Sequence, residues 1–266
     1  MGIVNATPDS FSDGGRFLAL DAAAAQAERL VAEGADLVDV GGESTRPGAP
    51  GVPVDEELRR VVPVIERLRA RGCAVPISID TRRTEVARAA LAAGADLVND
   101  VSALADPGMA EAVAASGAAC VLMHMRGTPA DMASRALYAD VVGEVADELE
   151  EALGRAVRRG VAEGRILLDP GIGFAKTADQ SLEVLASIQR LRRLGRPLVV
   201  GPSRKSFIGK VTGAGVEERL PGTLAAVAAC VLAGVEFVRV HDVGYARQAA
   251  LVAAAIRDAS ASRKER

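Results

Sequence analysis

The feature that most constrains the fold is a join that recurs along the chain. Gly34-Ala35-Asp36-Leu37-Val38-Asp39-Val40, Gly94-Ala95-Asp96-Leu97-Val98-Asn99-Asp100 and Gly234-Val235-Glu236-Phe237-Val238-Arg239-Val240 share one layout. Each ends an Ala-rich helical stretch at a glycine, the residue favoured just past a helix end, and then opens a short apolar run. Gly117 before Cys120 to Met123 and Gly164 before Ile166 to Leu168 resemble them. The spacings are unequal, which excludes a solenoid repeat. A repeated helix-to-strand join marks successive βα units.

The apolar runs predict strands near 2–5, 36–41, 75–79, 96–99, 118–123, 165–168, 197–201 and 235–240. Helical patterns fall near 19–33, 54–71, 82–93, 107–116, 139–163, 178–194, 217–233 and 245–260. Asp21 and Asp55 are expected to help start the first two helices, and Thr81 or Thr84 the third. Eight strands, each followed by a helix, predict an α/β fold of the (β/α)8 TIM-barrel type. A doubly wound open sheet is the alternative. The chain has 266 residues, which suits one barrel domain over 1–266, since such barrels run to about 250 residues. No Pro/Gly/Ser-rich linker divides it, and Ser260 to Arg266 is expected to fray.

A formal net charge of −3 disfavours nucleic acid as a partner. Cys73, Cys120 and Cys230 are odd in number, widely spaced and set in apolar surroundings, so buried free thiols in a reducing compartment are expected. No targeting stretch and no membrane-spanning apolar run is read, which makes the cytoplasm the expected location.

Chemistry in such a barrel sits at the C-terminal ends of the strands. In order, those ends carry Asn5, then Gly41 to Gly48, Asp80-Thr81, Asn99-Asp100, His124, Asp169-Pro170-Gly171, Ser203-Arg204-Lys205-Ser206, and Arg239 with His241-Asp242. Both histidines of the chain fall at such ends, with Asp, Asn and Lys beside them. Asp80, Asp169 and Asn99 offer the acceptors and amide groups that suit a heterocycle with a hydrogen-bonding edge. Arg239 and His241 are two apart on one strand and point the same way. Beside Asn5, with Lys205 adding charge, they suit an anion such as phosphate. The Thr7 to Gly15 run is rich in turn formers and too long for a simple connector.

Asn5-Ala6-Thr7-Pro8-Asp9-Ser10-Phe11-Ser12-Asp13-Gly14-Gly15 resembles the opening signature of the dihydropteroate synthase family, and Asp39-Val40-Gly41-Gly42-Glu43-Ser44-Thr45-Arg46-Pro47-Gly48 its second. Ser78 to Thr81, Asn99-Asp100, Met123 to Pro129, Asp169 to Phe174, Ser203 to Ser206 and Arg239 to Asp242 look like the remaining signatures, in the family's order. The resemblance implies a barrel enzyme of folate synthesis. It would join 6-hydroxymethyl-7,8-dihydropterin diphosphate to p-aminobenzoate and release diphosphate, with loss of diphosphate preceding amine attack. By resemblance, Asp80, Asn99, Asp169, Lys205 and Arg239 bind the pterin. Asn5, Thr45, Arg239 and His241 bind the diphosphate, and Asn5 holds Mg2+. Asp9, Ser10 and Phe11 belong to a closing loop. With Thr45, Pro47, Ser203 and Lys205 they form the p-aminobenzoate pocket. The catalytic set is Asp80, Lys205, Arg239 and His241. Ser203 is read as a binding residue rather than a nucleophile, and His124 as a structural hydrogen-bonding residue.

Small-molecule substrates are thus the expected partners, with sulfonamides competing for the second site. The resemblance also implies a homodimer, for which the Ala/Val/Leu-rich helix near Leu220 to Leu232 is a candidate face. Family members usually carry further residues before the strand ending in Asn5. A chain beginning at Met1 is therefore expected to be less stable than a longer one, with its site intact. A catalytically silent pterin-binding relative, a methyltetrahydrofolate-dependent methyltransferase domain and a generic phosphate-binding barrel are the rival readings. The first loop and the Arg239/His241 anion site disfavour the first two, and the pterin-edge residues disfavour the third.

Overall fold

The computed structural model describes residues 1–6, 16–46, 48–49 and 51–264, with backbone alone for 16–19 and 261–264. In chain order these form β1 (Gly2–Asn5), α1 (Arg16–Ala32), β2 (Val38–Gly41), α2 (Val54–Ala70), β3 (Ile77–Asp80), α3 (Thr84–Ala92), β4 (Leu97–Asp100), α4 (Met109–Ser116), β5 (Ala119–Met123), α5 (Val141–Arg158), β6 (Ile166–Asp169), α6 (Ala178–Ala186), β7 (Val199–Val200), α7 (Ser206–Thr212), α8 (Leu220–Leu232), β8 (Phe237–Val238) and α9 (Val243–Lys264). All pairings are parallel. β1 to β6 lie side by side in chain order, and β7 pairs with β8. Single bridges Leu168↔Leu198 and Gly2↔Val240 join the two sheets on either side. The ring is therefore closed in sequence order, a (β/α)8 barrel and not an open doubly wound sheet.

Strand periodicity sorts the side chains. Met1, Leu37, Leu97, Val121 and Val199 form a small cluster with Ala119, Leu167 and Phe237, the packing inside the ring. Val38, Val40, Ile77, Ile79, Val98, Leu122 and Leu168 face outward and pack with the helices in the main core. Each such Val, Leu or Ile contributes about 1.5–3 kcal/mol when buried. On β2, β4, β6 and β8 the inward position two residues further along is polar: Asp39, Asn99, Asp169 and Arg239.

The recurring join has a clear physical basis. At Gly34, Gly94 and Gly234 the backbone is left-handed, with φ of 97°, 108° and 84°. The next N–H reaches back to the last turn: Ala35 to Leu30 O at 2.9 Å, Ala95 to Ala90 O at 2.9 Å and Val235 to Cys230 O at 3.0 Å. These bonds satisfy carbonyls that the helix end leaves open. At the second and third joins the acidic residue that follows pins the neighbouring strand. Asp96 Oδ2 accepts from Ile77 N, and Glu236 Oε2 from Leu198 N, both at 2.8 Å.

Several local expectations are corrected. After α5 the stop is Gly160, with φ 93° and Val161 N bonded to Ala156 O at 3.1 Å; Gly164 sits in a following 3-10 turn. Asp21 lies within α1 and pairs with Arg71 at 3.0 Å, while Asp55 in α2 pairs with Arg59 at 3.0 Å. Neither caps a helix start by hydrogen bond. The first N–H of α3, at Thr84, is served from another loop by Asp106 Oδ2 at 2.7 Å. α7 was not predicted: its seven residues carry Gly209, Val211 and Thr212, weak helix formers. α9 is described as far as Lys264. The cysteines are free; Cys120 and Cys230 are buried, but Cys73 is half-exposed. Among the described residues no helix is long and apolar enough to cross a membrane.

Candidate active site

The polar layer at the C-terminal mouth is organised around Arg239. Its Nε donates to Asp39 Oδ2 at 2.6 Å and its Nη2 to Asp80 Oδ2 at 2.7 Å. Asn99 Nδ2 donates to the same Asp39 oxygen at 3.1 Å. The sheet register sets this up, because Gly41, Asp80 and Asn99 are direct cross-strand neighbours and Asp39 lies one inward position below Gly41. Asp39 is fully buried, and among the described residues its second oxygen has no hydrogen-bond partner. Asp39 opens the second signature, but it is given no site role from sequence. The available signal was a carboxylate at an inward position of an otherwise apolar run.

Asp80 and Asp169 are both pushed upward by burial. For Asp80, Asp39 adds to the push and Arg239 opposes it. Asp169 reaches about 6, against the pull of the Gly171 N–H and of Lys205, Arg239 and Lys176. That N–H donates to Asp169 Oδ1 at 2.7 Å. Gly171 is required there: φ is 68°, and an added Cβ would lie 2.0 Å from the His124 carbonyl oxygen. Lys205 sits with its Nζ 4.0 Å from the centre of the Phe174 ring, a cation–π contact. Burial lowers its ammonium to about 8, with Asp169 opposing.

The Gly2↔Val240 bridge sets β1 beside the strand that ends in Arg239 and His241. Asn5 closes β1 exposed at the mouth, and no described residue bonds its carboxamide. His241 Nδ1 meets Ser203 Oγ at 2.9 Å, and the His241 backbone N–H donates to that same oxygen at 3.3 Å. A hydroxyl oxygen has two lone pairs beside its one proton, so Ser203 positions the ring in either neutral tautomer. Burial first, then Arg239 and Arg204, lowers His241 to about 4, so the ring is neutral near neutrality. Arg204 is drawn away to Asp242, at 3.0 Å.

The structure thus brings Asn5, Asp80, Asn99, Asp169, Ser203, Lys205, Arg239 and His241 to one mouth. Thr45 lies half-buried in the loop after β2, and no hydrogen bond joins it to Arg239 or His241. That loop is anchored by Glu43, whose Oε1 accepts from Val52 N at 3.1 Å and pairs with Arg83 at 3.3 Å. Asp9, Ser10, Phe11 and Pro47 lie outside the described residues. His124 is engaged on both ring nitrogens, by Glu148 at 2.9 Å and by Lys176 at 2.8 Å. Lys176 and Glu148 were also missed, because Lys176 follows its motif by two residues and Glu148 lies on a helix face that reads as surface.

Such a site can read a flat polar heterocycle on one side and hold an anion on the other. A family model described as "Pterin binding enzyme" matches residues 1–241. A dihydropteroate synthase of Synechocystis sp. is 48% identical over 258 residues, covering 96% of this chain and 89% of that protein. The structure of Xanthomonas albilineans dihydropteroate synthase with 4-aminobenzoic acid is similar at a TM-score of 0.90 and 50% identity, covering 97% of this chain and 92% of the other. Yersinia pestis dihydropteroate synthase, solved with a sulfonamide drug complex, gives a TM-score of 0.91 at 41% identity, covering 97% and 94%. With a match along nearly its whole length and a mouth built as the family's signatures require, the chain belongs to the pterin-binding enzyme family.

Proposed function

We infer that this chain catalyses the dihydropteroate synthase reaction of folate synthesis. It joins the methylene carbon of 6-hydroxymethyl-7,8-dihydropterin diphosphate to the amine of p-aminobenzoate and releases diphosphate. The observation that carries this reading is one mouth holding two unlike sets. Asp80, Asn99 and Asp169 form a hydrogen-bonding edge, and Asn5, Arg239 and His241 form an anion corner. Relatives at 41–50% identity solved with 4-aminobenzoic acid and with a sulfonamide support it.

Asp169 accepts from the pterin's amino and ring N–H groups, and Asn99 serves the adjoining edge. Lys205 donates to the carbonyl or ring nitrogen. The N–H groups of Arg239 not used by Asp39 and Asp80, and the His241 ring, meet the departing phosphate oxygens. The C–O bond breaks with its electron pair leaving on diphosphate, and Asp80 faces the cation that the dihydropterin stabilises. A well-placed donor to developing charge contributes about 3–4 kcal/mol. The neutral amine then attacks the methylene carbon, forms the C–N bond and loses a proton, with no covalent enzyme intermediate. Ser203 acts on His241, holding its ring in place. Asp9, Ser10, Phe11, Thr45 and Pro47, with Ser203 and Lys205, complete the p-aminobenzoate pocket and exclude water from the cation.

Mg2+ fits this corner. Among the described residues no three His, Cys, Asp or Glu side chains converge on a metal cage. Asn5 offers a carboxamide oxygen without a described partner, which suits an ion that takes few protein ligands beside phosphates and waters. When bound it neutralises charge on the leaving group.

A homodimer is part of this reading. Leu232, Tyr245, Val252 and Ile256, between 44% and 61% exposed, form an apolar surface where α8 meets α9. The face is shared by both helices rather than supplied by Leu220 to Leu232 alone. Val252→Glu with Ile256→Glu is expected to shift the sedimentation coefficient to that of a monomer; a monomeric wild type refutes the dimer.

The deciding experiment is coupled diphosphate release with and without p-aminobenzoate and Mg2+. Release that depends on both is expected. Pterin binding without release points to a silent relative.

A further inference from the structure

A buried polar chain lies behind the pterin edge and is not used by the reaction described above. Lys176, 9% exposed, directs its ammonium at three acceptors: His124 Nδ1 at 2.8 Å, Gly171 O at 3.2 Å and Phe174 O at 3.2 Å. An ammonium has three donors and no acceptor, so His124 accepts at Nδ1 and carries its proton on Nε2. That proton goes to Glu148 Oε2 at 2.9 Å. Glu148 is held by Arg126 Nε at 2.9 Å, and Arg126 also bonds Glu144 at 2.7 Å. The chain ties the loop after β6 to the end of β5 and to α5.

Two of the three acceptors of Lys176 are carbonyls of one short loop. That loop gives Asp169 its N–H from Gly171 and sets Phe174 against Lys205. Its own restraints are few: Phe174 N bonds Gly171 O at 3.0 Å, Gly173 N bonds Ser181 Oγ at 3.2 Å, and Tyr138 Oη donates to Ala175 O at 2.9 Å. Ala175 holds a left-handed φ of 44°, a conformation that surrounding contacts must impose on a non-glycine residue. A buried cation is costly unless it is paired, yet no carboxylate makes an ion pair with Lys176 among the described residues. The groups that face it are Asp169 from β6, His124 and Arg126 from the end of β5, Glu148 from α5, and Lys205 from the loop after β7.

We propose that Lys176 is a positioning residue for pterin recognition, tying the Gly171–Phe174 loop to His124 and thereby fixing Asp169 and Lys205. The proposal rests on the reading of Asp169 and Lys205 as pterin-binding groups. His124, Glu148 and Arg126 act behind it as the anchor.

The test titrates 6-hydroxymethylpterin and inorganic diphosphate with Mg2+ separately onto the full chain and its variants. Lys176→Met is expected to weaken pterin binding at least tenfold. Inorganic diphosphate affinity stays within twofold, because its holders sit on β1 and beyond β8. The acid limb of pterin binding moves to higher pH, since Asp169 loses a neighbouring cation. Lys176→Gln keeps two N–H donors; it recovers part of the affinity but not the position of the acid limb. Glu148→Gln, on a part-exposed helix face, retains the fold and weakens pterin binding two- to fivefold. Unchanged pterin affinity in Lys176→Met and Glu148→Gln overturns the proposal. So does equal loss of both ligands, or an acid limb that stays in place. A wild-type protein that binds no pterin overturns the underlying reading and this proposal with it.

Discussion

Replacing Arg239 with methionine removes a cation that two buried carboxylates share. The contacts are 2.6 Å to Asp39 and 2.7 Å to Asp80, whose side chains are 0% and 10% exposed. Breaking a buried pair by removing one partner costs about 3–5 kcal/mol, because the other charge is left uncompensated. Two charges are left here, so the upper part of that range, about 4–5 kcal/mol, is expected. At about 2–4 °C per kcal/mol for a chain of this size, the melting temperature should fall by about 8–20 °C. The deficit must also depend on pH. Burial and Asp39 already raise the Asp80 carboxyl, and losing Arg239 raises it further. The folded variant then holds a proton that the unfolded chain releases near pH 4, so its stability is lost as pH rises. In the wild type that loss ends where Asp80 ionises; in the variant it continues beyond. The deficit is therefore smallest at acid pH and grows above that point. Urea unfolding of both proteins at about pH 5.5 and about pH 8.5 measures it. The double variant Arg239→Met with Asp39→Asn should recover part of the loss by removing one of the stranded charges. A deficit below about 1 kcal/mol, the range of exposed pairs, refutes the reasoning. So does an equal deficit at both pH values.

Gly171→Ala forces a Cβ to within 2.0 Å of the His124 carbonyl oxygen at a φ of 68°. The strain alone costs about 1–3 kcal/mol, and displacing the loop that serves Asp169 should lower 6-hydroxymethylpterin affinity at least tenfold by calorimetry. Pterin affinity should be highest between the ionisation of Asp169 at about 6 and that of Lys205 at about 8. Below the first, Asp169 loses an acceptor; above the second, Lys205 loses its charge. A profile flat from about pH 5 to about pH 9 contradicts those roles. Phe11→Ala should mainly raise the Michaelis constant for p-aminobenzoate in the diphosphate-release assay, and an unchanged constant removes Phe11 from that pocket.

The joins made the barrel legible, because each rests on local chemistry: a left-handed glycine and an N–H that reaches back to the last helical turn. The strand ends made most of the mouth legible too, since inward polar residues beyond an apolar run have few structural explanations. What the sequence hid depends on partners distant in the chain. Asp39 and Arg239 are 200 residues apart, and only closure of β8 onto β1 brings that carboxylate beneath the guanidinium. The start of α3 was legible only in part: Thr81 Oγ1 accepts from Arg83 N at 3.2 Å, but Thr84 N is capped by Asp106, from the loop after β4, and no reading of neighbours along the chain contains that bond.

The hidden residues share a property beyond distance. Asp39 lies directly below the polar mouth, and Lys176 and Glu148 lie behind it, each bonded to a group named from the motifs. A guanidinium at the centre of a barrel mouth needs counter-charge from within the ring, and a carboxyl held by a glycine N–H needs that glycine's loop to stay in place. The visible motifs therefore imply a supporting layer whose composition they do not specify. In this chain the layer is a carboxylate inside the ring for Arg239 and an ammonium outside it for Asp169. Both are charges that the burial rules would reject if the groups they hold were absent.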